Sequence, residues 1–353
     1  MATPRDATEE YADLLRRRHV ATLRYDASLR RDVLRLLLEV EKDIIGRLAA
    51  IDPTDVARRA YKVRRLDELL RQVREAISEH YEGMRAYLAG ELGEFAQVEG
   101  AWTQGALKAA MEVTTGVALA PKAKLAGLID DTFITGAPLS EWWSRQEENL
   151  MRRFADQMRI GVTQGDTLQK MMQRVRGTRA NNFTDGLMQT TRREAATLVR
   201  TATAAIGNES RGAIYEANAD LFDALVQVST LDGRTTIICM ARDGLRWTMA
   251  HEPIDHDLPF QYPPLHPQCR SIMSVIVKGA GPLGGERASM DGPVPRSVSF
   301  DEWLKGKSQA FQDDLLGKGK AKLWREQRLS LRDLLDFKGQ PLTLAELTDR
   351  FGA

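Results

Sequence analysis

From Leu66 onward, Leu69, Leu70, Val73, Ile77, Tyr81, Met84, Leu88, Leu92 and Phe95 succeed one another mostly at steps of three and four. That spacing lines one side of an α-helix and fits neither face of a strand. Unbroken from Tyr61 to Glu99, it predicts a rod of about 58 Å at ~1.5 Å per residue. Gly83, Gly90 and Gly93 lie inside it and are the places where it would bend or stop. Before it, Val33, Leu36, Leu37, Val40, Ile44 and Leu48 mark a helix face, closed at Pro53, with Thr54-Asp55 as a cap for the second helix. A long rod of this kind suits a bundle, a stalk or an interaction arm.

Further along, the helical signals shorten. Gly105, Gly116, Pro121, Gly127, Gly136 and Pro138 punctuate short helices. Trp142, Trp143, Leu150, Phe154 and Met158 predict a helix from Ser140 to about Ile160, ended by Gly161 and Gly165. A short helix through Leu168, Met171, Met172 and Val175 comes next, then a loop over 178–186. Thr191 and Glu194 fit a capping box, opening a helix of small residues: Ala195, Ala202, Ala213 and Ala217 with Leu198, Val199 and Ile206. Gly207 and Gly212 test its continuity.

The period changes to two at Leu225, where Val226, Val228 and Thr230 alternate with Gln227 and Ser229. Asp232-Gly233 and Asp243-Gly244 are turn signals. Ile237 to Met240 reads as a short return segment, and Leu245 to Met249 comes after the second turn. His251 to Gln268 is a loop with five prolines, and Ile272 to Val277 is a second strand. The fold class expected is mainly α with a small antiparallel β module (α+β) and an elongated helical N-terminal region. The expected divisions are a helical arm or bundle over 1–135, helices leading into the α+β module over 136–278, a Gly/Pro linker or surface loop over 279–298, and a C-terminal helical segment over 299–353 that packs on the module. Phe300, Trp303, Leu304, Phe311, Leu315, Leu316, Leu323 and Trp324 are its expected anchors.

Composition narrows the function. The 353 residues exceed one ordinary domain, and 43% apolar content supports a real core. With 50 Lys and Arg against 49 Asp and Glu, no chain-wide basic field exists to coat nucleic acid or an anionic membrane. Cys239 and Cys269 are the two cysteines, which excludes a disulfide-stapled secreted scaffold. Met1 to Thr8 is polar and lacks a signal-peptide core, and no apolar run has the length of a membrane helix. No Gly-x-Ser-x-Gly, phosphate loop, Rossmann glycine pattern or His-Glu-x-x-His occurs, so no conventional enzyme is indicated.

The chemistry-bearing residues concentrate between 232 and 271. Cys239, His266 and Cys269 combine thiols with an imidazole, the donor set of a tetrahedral zinc site. His251, Asp255 and His256 are the fourth-ligand candidates. The trio also fits two buried thiols with a hydrogen-bonded histidine that pin the proline loop, or a disulfide. Asp232 and Arg234 fit either a catalytic pair or an Asp-Gly turn closed by an ion pair. Over 171–215, seven arginines face three acids. Arg174, Arg176, Arg179, Arg192 and Arg193 are the candidates for phosphate contact, unless they belong to a solvated helix face.

In order along the chain stand Arg200-Thr201, Asp232-Gly-Arg234-Thr235, Cys239, Asp243-Gly244 and Pro263-Pro264-Leu-His266-Pro267-Gln-Cys269-Arg270. This succession resembles the Mu F-like minor head proteins of tailed bacteriophages, also called head morphogenesis proteins. Phe300-Asp-Glu-Trp303-Leu304, Leu315-Leu316-Gly317 and Leu342-Thr343-Leu344 are similar to the C-terminal segment of many members. The resemblance runs over about residues 190–350. Many members carry Cys-x-x-Cys after the turn and Cys-Arg-Cys at the end; here Thr236 and Ser271 stand in those places. The resemblance implies a structural virion protein, present in few copies near the portal and met in the host cytoplasm during assembly. Its implied partners are the portal protein, the major capsid or scaffold protein, and packaged double-stranded DNA, with no membrane during assembly. It implies a part in head assembly, DNA packaging or ejection. No cofactor is required by it, zinc being the one candidate. The contrasting readings are a metal-dependent nuclease or toxin-like enzyme using Asp232, Arg234 and His266, and a DNA-binding clamp.

Overall fold

The computed structural model describes residues 3–50, 59–134, 136–280 and 285–351, with backbone alone over 59–64. Two long helices lead, α1 (Pro4–Ala49) and α2 (Arg59–Ala110). The stop expected at Pro53 and the cap expected at Thr54-Asp55 lie outside the described residues. Next come α3 (Lys122–Asp131), the two-residue strands β1 (Phe133–Ile134) and β2 (Ala137–Pro138), α4 (Leu139–Gln164), α5 (Leu168–Arg176) and α6 (Leu187–Glu216). The β module is built from β3 (Phe222–Val228), α7 (Ile237–Ala241), β4 (Arg246–Trp247), β5 (Pro253–Ile254) and β6 (Ile272–Val277). The chain continues as β7 (Glu286–Ser289), β8 (Gly292–Pro295), α8 (Phe300–Lys305), α9 (Gln309–Leu316), α10 (Lys318–Arg325) and α11 (Leu344–Phe351). The architecture is mainly α with small antiparallel sheets, as the patterning predicts. Among the described residues no helix is long and apolar enough to cross a membrane.

The chain forms two compact units. One comprises Leu23–Gly93 and Ile129–Thr203, the other Met1–Thr22, Glu94–Leu128 and Ala204–Ala353. Among its described residues the first is helical apart from the β1–β2 pair and short turns. It buries the predicted faces of α1 and α2: Val33, Leu37, Val40, Ile44 and Leu48 from one, Leu69, Val73, Ile77, Tyr81, Met84, Leu88 and Leu92 from the other. Gly83 and Gly90 do not interrupt α2. The apolar residues buried around them outweigh the ~1 kcal/mol that glycine costs a helix. Leu150, Phe154 and Met158 are buried on α4. Gly161 lies inside α4, and Gly165 at φ 69° is its left-handed cap.

Several carboxylates of this unit are held by cations. Ser78 and Arg85 donate to Glu147 at 2.7 and 2.6 Å. Arg176 and Arg192 converge on the buried Glu41. Arg153 pairs with Glu194. The capping box expected at Thr191 is not formed, because α6 begins at Leu187. Leu187 and Met188 are already buried, and Thr191 Oγ donates back to the Leu187 carbonyl from inside the helix.

The second unit holds the β module. Its sheet has the order β5-β4-β3-β6, antiparallel throughout, with Leu225 opposite Val275 and Trp247. The period-two run does locate β3, but Ala224, Leu225, Val226 and Gln227 are all buried, so both faces of the strand are covered. The segment expected to return as a strand, Ile237 to Met240, is the single helical turn α7. On α6, Asn208 accepts from Met273 N at 3.0 Å, and Tyr215 donates to Met273 O at 3.3 Å, which pins that helix to β6. Glu99 is fully buried and takes Arg18 at 2.8 Å and Arg211 at 2.5 Å. α6 runs unbroken through Gly212, where the Tyr262 ring occupies the space a side chain would need.

Residues 286–295, expected within a linker or surface loop, form the β7–β8 hairpin, and Leu231 bridges to Ser289. The rest of 279–298 includes 281–284, outside the described residues. The C-terminal anchors behave as expected. Phe300, Trp303, Leu304, Leu316, Leu323 and Trp324 share one core with Leu231 and Met240 of the β module, and Phe311 and Leu315 pack at its edge. Ser299 and Glu302 form a capping box at the start of α8.

Candidate functional site

Past β3 the chain turns at Asp232. Its carboxylate accepts from Arg234 N at 2.9 Å and Thr235 Oγ at 3.2 Å. Arg270 reaches across from the end of the proline loop and grips both oxygens, at 2.6 and 2.7 Å. This fork is the strong form of ion pair. Burial alone would raise the Asp232 pKa, but Arg270 and the turn amide carry it below the ordinary range. Arg234 is not the partner that closes the turn; its guanidinium stands 3.8 Å away and its side chain is 82% exposed.

The second turn hangs on Asp243, which accepts from Ser229 N at 2.9 Å and Phe300 N at 3.0 Å. Arg287 donates to both its oxygens at 2.7 and 2.8 Å. Gly244, at φ 76°, allows the reversal that lets its own N–H reach Gln227 O at 2.9 Å. One carboxylate thus ties β3, hairpin β7–β8 and helix α8 together. Arg287 is a functional candidate that no sequence signal marks, since it sits within a Gly/Pro-rich stretch with no motif around it.

Cys239 on α7 and the His266-x-x-Cys269 turn meet. Cys239 Sγ lies 3.3 Å from His266 Nε2 and 3.5 Å from Cys269 Sγ. Both thiols are buried and reduced. The Cys269 N–H donates to the His266 carbonyl at 3.1 Å, which sets the two side chains on one turn. Cys269 is held well below the usual thiol range by the Cys239 hydrogen bond and, against its burial, by His266. Cys239 is pushed well above that range by the same sulfur contact and by burial. Burial works to lower the His266 pKa, and the hydrogen bond and charge of Cys269 outweigh it and raise it. Among the described residues this trio is the one group whose ligand atoms could share a metal, all lying within 4.8 Å of one another. Asp232 is outside it.

The three fourth-ligand candidates are engaged elsewhere or stand outside that group. His256 Nε2 donates to Arg246 O at 2.8 Å while its Nδ1 accepts from Leu258 N, and burial lowers its pKa. Asp255 pairs with Arg246 at 2.9 Å. His251 stacks on Phe260, ring centres 3.9 Å apart. These rings, with Trp247 and Tyr262, make the inner lining of the proline loop. Pro263 and Pro264 are buried, and Pro267 is exposed. Arg242, also unforeseen, is fully buried beneath the loop; it donates to the Pro259 carbonyl, lies 5.3 Å from the Trp247 ring centre, and has a pKa lowered to about 10 by burial.

The remaining sequence-predicted residues lie in the helical unit. Thr201 is buried and bonds back to Thr197 O at 2.7 Å. Burial raises the Asp26 pKa against the opposing pull of Arg30 and, more weakly, of Arg200. Of the arginines proposed for phosphate, Arg174 pairs with Asp166 at 2.7 Å, and Arg176 and Arg192 pair with Glu41. Arg179 and Arg193 are exposed.

The end of helix α4, the Asp232 turn, the thiol–imidazole group and the start of strand β6 fall within one stretch of chain that has a recognisable likeness. Residues 152–274 match the family model described as phage Mu protein F like protein. Over this stretch the chain is similar to that family. No curated protein and no solved structure matches it. The matched stretch ends within β6, so the hairpin and the C-terminal helices that pack on the β module lie beyond it.

Proposed function

We propose that this chain is a minor structural protein of a tailed-phage head that acts in head morphogenesis. The observation that carries the reading is the Mu F-like match over 152–274, which takes in both structured turns and the proline loop. In this reading the β module is a rigid recognition element. Its loops are fixed by Asp232–Arg270 and Asp243–Arg287 instead of being free to rearrange around a substrate. The helices are assembly surfaces that contact the portal protein and the major capsid or scaffold protein. The protein stands in the head near the portal and assists DNA packaging or ejection. Contact with packaged DNA falls to exposed side chains such as Arg179 and Arg193, because Arg174, Arg176 and Arg192 already neutralise carboxylates.

A nuclease or toxin-like activity built on Asp232 finds less support. Both oxygens of that carboxylate are bonded to Arg270, which leaves it a poor base and a poor metal ligand. The functional reading is tested by cross-linking purified particles and identifying the linked peptides. Cross-links from this chain to the portal protein support it. Cross-links confined to the tail, in particles where portal–capsid links are recovered, overturn it.

A further inference from the structure

We propose that Cys239, His266 and Cys269 bind a zinc ion that clips helix α7 to the proline loop. Zinc takes thiolates at ~2.3 Å and imidazole nitrogen at ~2.0–2.1 Å in a tetrahedron, which spaces neighbouring donors about 3.4–3.8 Å apart. The observed separations, 3.5 Å between the sulfurs and 3.3 Å from Cys239 Sγ to His266 Nε2, need only small adjustments to meet that geometry. Two thiolates balance the charge of the dication, so a neutral cluster forms in a buried place where a bare ion would be costly. The thiol protons leave to solvent as the ion binds.

The surroundings orient the donors. His266 Nδ1 lies 2.9 Å from the Pro267 carbonyl, which accepts its proton and leaves the Nε2 lone pair facing the sulfurs. This is the outer hydrogen bond that metal-binding histidines use to fix their tautomer. The Cys239 carbonyl accepts from Ser229 Oγ at 2.8 Å, which holds α7 in place. Thr236, the residue that caps α7, has a buried hydroxyl oxygen directed at the Cys239 thiol. With three protein donors, the fourth position falls to this hydroxyl or to a water.

The test uses the full chain, purified under reducing conditions without chelator. One zinc per chain by elemental mass spectrometry, and a thiolate-to-cobalt charge-transfer band when the stripped, folded protein is titrated with Co(II), are the expected results. Thr236→Cys supplies a third thiolate and should tighten zinc, read by competition with a chromophoric chelator, by at least about tenfold, the lower end of what outer-shell changes alone produce. Cys269→Ser should weaken it by at least as much. Where Cys269→Ser fails to fold, the Co(II) titration of the wild type and the Thr236→Cys competition carry the test. A folded, reduced wild type that gives no charge-transfer band overturns the proposal, as does a Cys239–Cys269 disulfide in protein analysed under conditions that preserve thiols.

Discussion

Asp243 and Arg287 form a buried fork-to-fork ion pair, 8% and 1% exposed at the arginine and aspartate side chains, that joins the second turn of the β module to a hairpin outside the matched stretch. The carboxylate also receives the backbone N–H of Ser229 and of Phe300. Removing either charge leaves the other buried and unpaired. Arg287→Ala or Asp243→Ala should therefore lower unfolding free energy by about 3–5 kcal/mol. Chemical denaturation of each variant checks this, and a loss under about 1 kcal/mol would deny the pair its role.

The Asp232 turn distinguishes two arginines. Arg270→Ala should cost about 1.5–3 kcal/mol, the range for hydrogen bonds to charged groups, while Arg234→Ala should change stability by less than about 0.5 kcal/mol. Because the Asp232 pKa is lowered in the folded chain, its contribution is full above the unfolded value near 3.9 and disappears as pH falls through the folded value. Asp232→Asn should flatten the acid limb of the stability curve, measured by denaturation from pH 6 downward.

Glu209 on α6 shows the opposite sign. Burial, then the nearby charge of Glu216, raises its pKa to about 7, with Lys124 opposing. The folded chain binds this proton more tightly than the unfolded one. Stability from this group is complete below the unfolded value near 4.3 and is lost as pH rises through about 7. Glu209→Gln should match the wild-type Tm at pH 5 and exceed it at pH 8. Parallel thermal melts at the two pH values read the difference directly.

Gly212 and Gly207 make a matched pair on one helix. A Cβ at Gly212 would lie 2.5 Å from the Tyr262 ring, whereas one at Gly207 would meet Phe95 at an ordinary 3.5 Å. Helix propensity favours alanine at both by roughly 1 kcal/mol. Overpacking wins at the first, because Tyr262 is held edge-on against Phe260 and His251. Gly212→Ala should destabilise by about 1–3 kcal/mol, and Gly207→Ala should be neutral or stabilising.

Legibility in the sequence tracks the range of the interactions. The faces of α1 and α2 are readable since Val33, Leu37, Val40 and Ile44, or Ile77, Tyr81, Met84 and Leu88, repeat within one helix. Cys239, His266 and Cys269 are readable as a donor set by residue type alone. The partner of Asp232 is not. Arg234 is near in sequence and Arg270 is near only after the proline loop folds back. Arg287 gives no local signal either, its role depending wholly on Asp243. Thr191 misleads because a cap signature is local, while burial of Leu187 and Met188 starts the helix one turn earlier.

Quantitative mass spectrometry of purified particles, counting this chain against the portal and major capsid proteins, decides whether it has a place in the phage head. The expected result is a reproducible copy number, comparable with the portal and small beside the major capsid protein. Absence from mature particles whose portal is fully recovered would contradict it.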